Sequence, residues 1–274
     1  MKQKVGFCNK KLWKNYKASI ATFTTIIGAA FMFIDLPCCR KLIAGAVYLA
    51  ILGFIYLYQL YSANKLQEKK LTINDTDVSI VYGDIFTRDG IKVIAFNEYF
   101  DTVVDDRIIS ATSLNGIFVK QKPDRAEKIN QAVLADVRLP EKIVEKNCTR
   151  KLGGKTTKYK LGSVCPFEDY FLLAFAHVDD DNAAYLTIED YIGCLMNMWH
   201  EIDTLYAGKP INITLLGSGI TRFKNGNVTQ QDLLKHLVWT FEASKSQFNN
   251  GSSLTIVLDK KISDKINLYD IGKE

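Results

Sequence analysis

Histidine is scarce in this chain of 274 residues: His177, His200 and His236 are the only three, and they lie far apart. None stands at zinc-finger spacing from any of the six cysteines, and no two cysteines form a CxxC pair. That pattern excludes the common structural zinc modules and a thioredoxin-like redox centre. A basic surplus in the globular part is also missing. Residues 1–70 hold 11 Lys or Arg against 2 Asp or Glu, which leaves 24 against 28 for the remainder. A nucleic-acid reader concentrates positive charge on its folded face. The formal net charge of +5 therefore does not point to DNA or RNA, and no nucleic-acid partner is expected.

Charge is absent from residues 18–34 and from residues 42–64. Each run is close to the roughly 20 residues needed to cross a hydrocarbon core. Pro37 lies between them, where it can end the first helix. The reading is a basic leader (1–17), a transmembrane helical hairpin (18–64) and a linker (65–72). A cleaved signal peptide fits less well: the charged leader is long, no small-x-small site follows, and a second span comes at once. Lys2, Lys4, Lys10, Lys11, Lys14 and Lys17 precede the first span, and Lys65, Lys69 and Lys70 follow the second. Only Arg40 and Lys41 occupy the turn, so the positive-inside rule keeps both termini cytoplasmic, with the chain in the inner membrane. Trp13, Tyr16, Tyr58 and Tyr61 suit the interfacial belt. Thr22, Thr24, Thr25, Gly28, Ala29 and Ala30 give the first helix a small surface, for self-association or for packing within the hairpin. The linker has no Gly or Pro and is expected to continue the second helix. A cytoplasmic domain keeps its thiols reduced, and the Asn147 and Asn212 sequons then go unused.

From about residue 71 strands and helices alternate, the signature of an α/β fold. Strands are predicted at 78–82, 91–96, 171–176, 211–216 and 254–258, with helices at 124–134, 188–206 and 229–246. In the long middle helix Tyr191, Leu195, Met198, Ile202 and Leu205 form one apolar stripe, read as core. Thr187 and Asp190 have capping-box spacing before it. Residues 141–167 break the rhythm. They carry Lys142, Lys146, Arg150, Lys151, Lys155, Lys158 and Lys160, and read either as a solvated loop or hairpin or as a contact to anionic lipid or a partner subunit.

The chemistry concentrates at Gly217-Ser218-Gly219-Ile220-Thr221-Arg222. A buried strand delivers these residues and a helix begins near Thr229. Glycines let backbone N–H groups approach a phosphate, and Arg222 adds a forked donor. A Gly-Ser-Gly turn alone is a weak signal. It comes with Val81-Tyr82-Gly83-Asp84-Ile85, Val93-Ile94-Ala95-Phe96-Asn97 and Leu215-Leu216-Gly217-Ser218-Gly219-Ile220, in an order and spacing that resemble a macro domain. The resemblance implies a macro-like three-layer α/β/α sandwich over residues 73–274. It implies that Asp84, with Ile85, meets adenine, that Asn97 meets the distal ribose, and that Gly217, Ser218, Gly219, Ile220 and Thr221 wrap a diphosphate ahead of Arg222. Glu98-Tyr99-Phe100 replaces the small residues usual after that Asn, and is expected to narrow the distal pocket or touch a group on the ribose.

Asn97 to Thr102, Tyr206-Ala207-Gly208 and the stretch 215–223, after two spans, resemble the transmembrane–macro effectors of Thoeris anti-phage defence. That resemblance implies a receptor for an ADP-ribose-derived signal of the histidine–ADP-ribose type, made by a partner TIR-domain enzyme. It also implies homo-oligomerisation and disruption of the bilayer, ending in abortive infection. No cofactor, metal or catalytic residue is expected. His177 ends a buried strand and reads as structural, and Asp179-Asp180-Asp181 as a solvated turn. A membrane-anchored ADP-ribosyl hydrolase and a scaffold that binds no nucleotide are the alternatives. Ligand consumption would identify the first and absence of binding the second.

Overall fold

The structure, a computed structural model, describes residues 5–31, 37–224, 226–248 and 252–272. Two compact units result, Met1–Lys69 with Asp264–Glu274, and Lys70–Ser263. In the first, α1 (Lys10–Phe31) and α2 (Cys38–Asn64) pack as a helical hairpin. Its firmest part is an aromatic cluster in which Tyr56 meets Trp13 and Tyr16 with ring centroids 5.0 and 5.1 Å apart. Gln59 donates to Ser19 Oγ at 3.0 Å, and Asn9 to Asp270 Oδ1 at 3.0 Å, which ties in the C-terminal residues. Among the described residues one helix, Arg40–Asn64, is long and apolar enough to cross a membrane. The end of the first uncharged run (32–34), with Asp35 and Leu36 of the turn, lies outside the described residues.

The linker does not continue α2. The helix stops at Asn64, the Lys65 N–H closes onto Tyr61 O and Ser62 O, and β1 (Glu68–Ile73) follows. The cause is pairing: Asn74 and Asp75 take φ of 50° and 59°, and this two-residue turn sets β1 beside β2 (Thr76–Tyr82). Two positive φ values are what a tight hairpin of type I′ requires. Here the ladder outcompetes the helix.

The second unit continues with β3 (Ile91–Asn97), α3 (Leu114–Lys120), α4 (Arg125–Ala135), β4 (Ile143–Glu145), β5 (Lys158–Tyr159), β6 (Val164–Phe167), β7 (Tyr170–Val178) and β8 (Ala184–Leu186). After these come α5 (Ile188–Leu205), β9 (Ile211–Thr214), β10 (Arg222–Phe223), α6 (Gln230–Ser244) and β11 (Ser253–Leu258). Strand order in the main sheet is β1-β2-β11-β9-β3-β7-β8-β10, with β6 antiparallel to β7. The five strands from β2 to β7 are parallel, and their register sets Ile80, Ile256, Ile213, Val93 and Phe171 in one row, all buried. Parallel strands covered on both faces need such near-continuous apolar runs.

Side chains alternate between the two faces of a strand. Ile94, Phe96, Leu172 and Ala174 face Phe118, Ile129 and Val133 of α3 and α4. On the other face Phe175 meets Tyr191 of α5 at 6.0 Å, and Trp199 of α5 meets Phe241 of α6 at 4.9 Å. The result is the three-layer α/β/α plan. Tyr191, Leu195, Met198 and Ile202 are fully buried and Leu205 is half-buried, so the stripe is core up to its last residue. Both Thr187 with Asp190 and Thr229 with Asp232 close reciprocal capping boxes.

The stretch 141–167 is less solvated than its composition suggests. β4 and β5 form a small antiparallel ladder, β6 joins the main sheet, and Lys142 pairs with Glu201. Replacing Thr187 with Ala removes one half of the α5 cap and is expected to lower stability by about 1 kcal/mol. Thermal unfolding of the full chain reads this directly, with Thr187→Ser as the neutral control. An unchanged melting temperature for Thr187→Ala would contradict the capping role.

Candidate functional site

Along the sheet β3 and β9 lie side by side, and the chain leaves β9 for β10, on the far side of β8, before α6 returns it to β11. In open parallel sheets ligands bind in a crevice beyond the carboxyl ends of the strands. A cavity of about 870 Å³ opens there. That volume is in the range of small-molecule sites, roughly 300–1,000 Å³. Asp84, Ile85, Asn97, Gly217, Ser218, Gly219, Ile220, Thr221 and Arg222 all line it. They arrive from the ends of β2, β3 and β9, separated by up to 138 positions in sequence.

The strand predicted to 216 ends at Thr214, and Leu215 and Leu216 already belong to the loop. Tyr191 Oη reaches Leu216 O at 3.2 Å, and Gln230 Nε2 donates to Ser218 O at 3.2 Å. The loop is thus anchored through its carbonyls. Ser218 N–H folds back on Leu215 O at 3.2 Å, while the N–H groups of Gly217, Gly219, Ile220 and Thr221 have no partner among the described residues. Arg222 is exposed, and its guanidinium has no partner among them either. Unused amides beside a free guanidinium form a cradle for an anion. Gly217 holds φ at +79° with the Phe223 ring 3.1 Å from where a Cβ would sit, whereas a Cβ on Gly219 would meet open space.

At the other end Asp84 is exposed and uses one oxygen, Oδ1, to accept from Phe86 N at 2.9 Å. Its second oxygen has no partner among the described residues. Ile85 is buried beneath it. Asn97 follows a register shift between Phe96 and Asn97 in the β3–β7 pairing. Its side chain is consumed locally: Oδ1 accepts from Tyr99 N and Asp101 N at 3.1 and 3.2 Å, and Nδ2 donates to Asp101 Oδ2 at 2.8 Å. Asn97 therefore shapes the loop as much as it lines the cavity.

Glu98, Tyr99 and Phe100 do not narrow the pocket, contrary to the sequence reading. Phe100 is wholly buried in the core with Phe96 and Tyr159, because the turn sets it at φ of 50° and faces it inward. Glu98 pairs with Lys158 at 3.2 Å and with His177 Nδ1 at 2.5 Å. His177 is not among the residues that line the cavity, and its ring is held by Glu98. Asp179 closes a turn, accepting from Asp181 N and Ala183 N at 3.0 and 2.8 Å.

A family model described as Thoeris protein ThsA, Macro domain, matches residues 78–259. The Thoeris protein ThsA of Bacillus amyloliquefaciens (strain Y2) is 41% identical over 256 residues, which cover 92% of this chain and 86% of the relative. The chain belongs to the Thoeris ThsA family. Its second unit is the family's macro domain. Among solved structures, the Oceanobacillus iheyensis macrodomain with ADP is 12% identical, aligns over 74% of this chain and 92% of its own, and has a TM-score of 0.48. The same macrodomain with MES bound is 12% identical over 74% and 93%, with a TM-score of 0.46.

Several residues lining the macro-domain cavity escaped the sequence reading. The loop 105–113 is a chain of side-chain turns: Asp105 Oδ1 accepts from Arg107 N and Ile108 N, and Asp106 Oδ1 from Ala111 N. The Ile108 and Arg107 N–H groups hold the Asp105 carboxyl below its ordinary range. The Asp-Asp-Arg run with serines at 110 and 113 was the available signal, since such residues build turns of this kind. Asn115 and Asn182 also line the cavity. Behind that wall Arg150 donates to Asp101 Oδ2 at 2.6 Å, and Lys155 to Phe100 O at 2.5 Å. Burial pushes the Lys155 ammonium down to about 8, against the pull of Asp101.

The two loop glycines are expected to respond differently to alanine. Gly217→Ala meets both a left-handed φ and an aromatic ring, and should lower stability by about 1 kcal/mol or more. Gly219→Ala meets neither and should leave the melting temperature at the parent value. Equal melting temperatures for the two variants would contradict this loop geometry.

Proposed function

We propose that this chain is a membrane-anchored receptor of anti-phage defence whose macro domain binds an ADP-ribose-derived nucleotide, of the histidine–ADP-ribose type, made by a TIR-domain enzyme. The observation that carries the reading is the convergence of the Asp84 turn, the Asn97 loop and the Gly217–Arg222 loop on one cavity. In this reading the free amides from Gly217 to Thr221 and the Arg222 fork take the diphosphate. The unused Asp84 oxygen accepts from the adenine amine, over the apolar surface of Ile85. No step in this scheme breaks a bond.

The effector half rests on the two uncharged runs and on the lysine asymmetry. Two spans with both termini in the cytoplasm leave the macro domain facing the compartment where the signal is made. The signal must bind the assembled state more tightly than the unassembled one, since equal affinity would shift nothing. Binding then drives homo-oligomerisation of the spans, and the assembled spans permeabilise the inner membrane of the infected cell.

The test joins ligand to outcome. Full-length protein should bind ADP-ribose by calorimetry, Asp84→Ala should lose on the order of 1–3 kcal/mol, and Gly219→Glu should lose binding altogether. In cells supplied with the signal, the parent should depolarise the membrane and Gly219→Glu should not. Unchanged polarisation together with steady breakdown of the nucleotide would replace the receptor reading with a hydrolase.

A further inference from the structure

The macro domain buries an arginine where no sequence motif asked for one. The Arg150 side chain is only 6% exposed, and its partner Asp101 is 1% exposed. Its guanidinium is forked across two loops. One nitrogen donates to Asp101 Oδ2 at 2.6 Å and to Lys155 O at 3.0 Å, and the other to Asn182 Oδ1 at 2.5 Å. The Tyr99 ring lies beneath it at 4.3 Å. Asp101 in turn receives Asn97 Nδ2 at 2.8 Å and Lys155 N at 2.7 Å. One side chain thus ties the Asn97 loop, at the end of β3, to the 179–183 turn, which holds Asn182 and follows β7.

Asn182 is the informative partner. It occupies a left-handed position, φ 55°, which Asn and Asp tolerate better than other residues with a side chain. A guanidinium only donates, so the amide atom facing Arg150 must be oxygen, and this fixes the orientation of the group. Asn182 Nδ2 is then aimed away from Arg150. It is buried, it has no hydrogen-bond partner, and its residue lines the cavity. A buried donor left unmade is costly, and a ligand acceptor removes the cost.

We propose that Asn182 is a specificity-determining donor at the distal end of the nucleotide site, and that Arg150 is the residue that positions it. The inference rests on the ADP-ribose reading of the cavity. Asn182 Nδ2 donates to an oxygen of the part of the ligand beyond the diphosphate, on the side of Asn97. It therefore separates ADP-ribose-type ligands from ADP. The basic strap carrying Arg150 and Lys155 serves the site from behind, with both cations turned into the domain.

The experiment compares ADP-ribose and ADP as probes on the full chain, with melting temperature measured alongside. Asn182→Asp keeps an acceptor for Arg150 and the left-handed backbone, removes the donor and adds a negative charge that acts on both diphosphate probes alike. It should fold with a melting temperature near the parent's and lower the affinity for ADP-ribose about tenfold relative to that for ADP. Arg150→Lys retains the charge opposite Asp101 but lacks the second arm, and should shift the same ratio in the same direction. A merely structural Asn182 would leave the ratio of the two affinities unmoved. A parent-like ratio in Asn182→Asp overturns the inference and leaves the ADP-ribose reading standing. A parent protein that binds neither probe overturns both.

Discussion

The chain leaves the buried strand β9 at Thr214 and next pairs at β10, beyond β8, so residues 215–221 run past the carboxyl ends of β3 and β7, and the site depends on that crossing. The segment that crosses is largely backbone. The β9 strand is buried through Ile213 and passes within three residues into a loop with unused N–H groups. Gly219 and Ile220 are exposed, so these N–H groups are open to solvent at the cavity, where an anion can replace water on several of them at once. The carbonyl side of the same loop is held by Tyr191 and Gln230, from α5 and α6. The helices of one face therefore fix the geometry of these donors at the carboxyl ends of the central strands.

Behind the opposite wall the domain tolerates a costly arrangement. Glu98 and Asp101 are both about 1% exposed, four residues inside a loop that follows a strand end. Isolated charges at such depth are strongly unfavourable, and removing one partner of a buried pair costs about 3–5 kcal/mol. Each carboxylate is accordingly surrounded by donors: Lys158 and His177 on Glu98, Arg150, Asn97 and the Lys155 N–H on Asp101. A network with so many fixed directions holds its loops in one geometry. An apolar replacement could be as stable but would not dictate where Asn97 and Asn182 sit.

Much of this domain was legible before any coordinates, and the reasons differ from part to part. The parallel strands announced themselves because strands covered on both faces must be apolar at nearly every position, as in 91–96. α5 was legible from both its stripe and its Thr187 cap. The nine candidate site residues fall on one cavity because each sits at a strand end, where turn residues are conspicuous. The failures share a cause too. β1 was read as helix because its six residues carry no turn signal, and only the Asn74-Asp75 hairpin explains its conformation. Glu98 to Phe100 are bulky where small residues are usual, and composition cannot say which way such a loop faces. The strap 141–167 looked solvated because its partners, Asp101, Glu98 and Glu201, are distant in sequence.

The central claim is that the unused amides of the Gly217–Thr221 loop receive the diphosphate of an ADP-ribose-type ligand. Amide hydrogen exchange of the full chain, with and without saturating ADP-ribose, tests it at those atoms. The account predicts slowed exchange at residues 217–221 and at the Asp84 turn, with the N-terminal ends of β2, β3 and β9 unaffected. Exchange at residues 217–221 that stays the same while ADP-ribose is bound would contradict it.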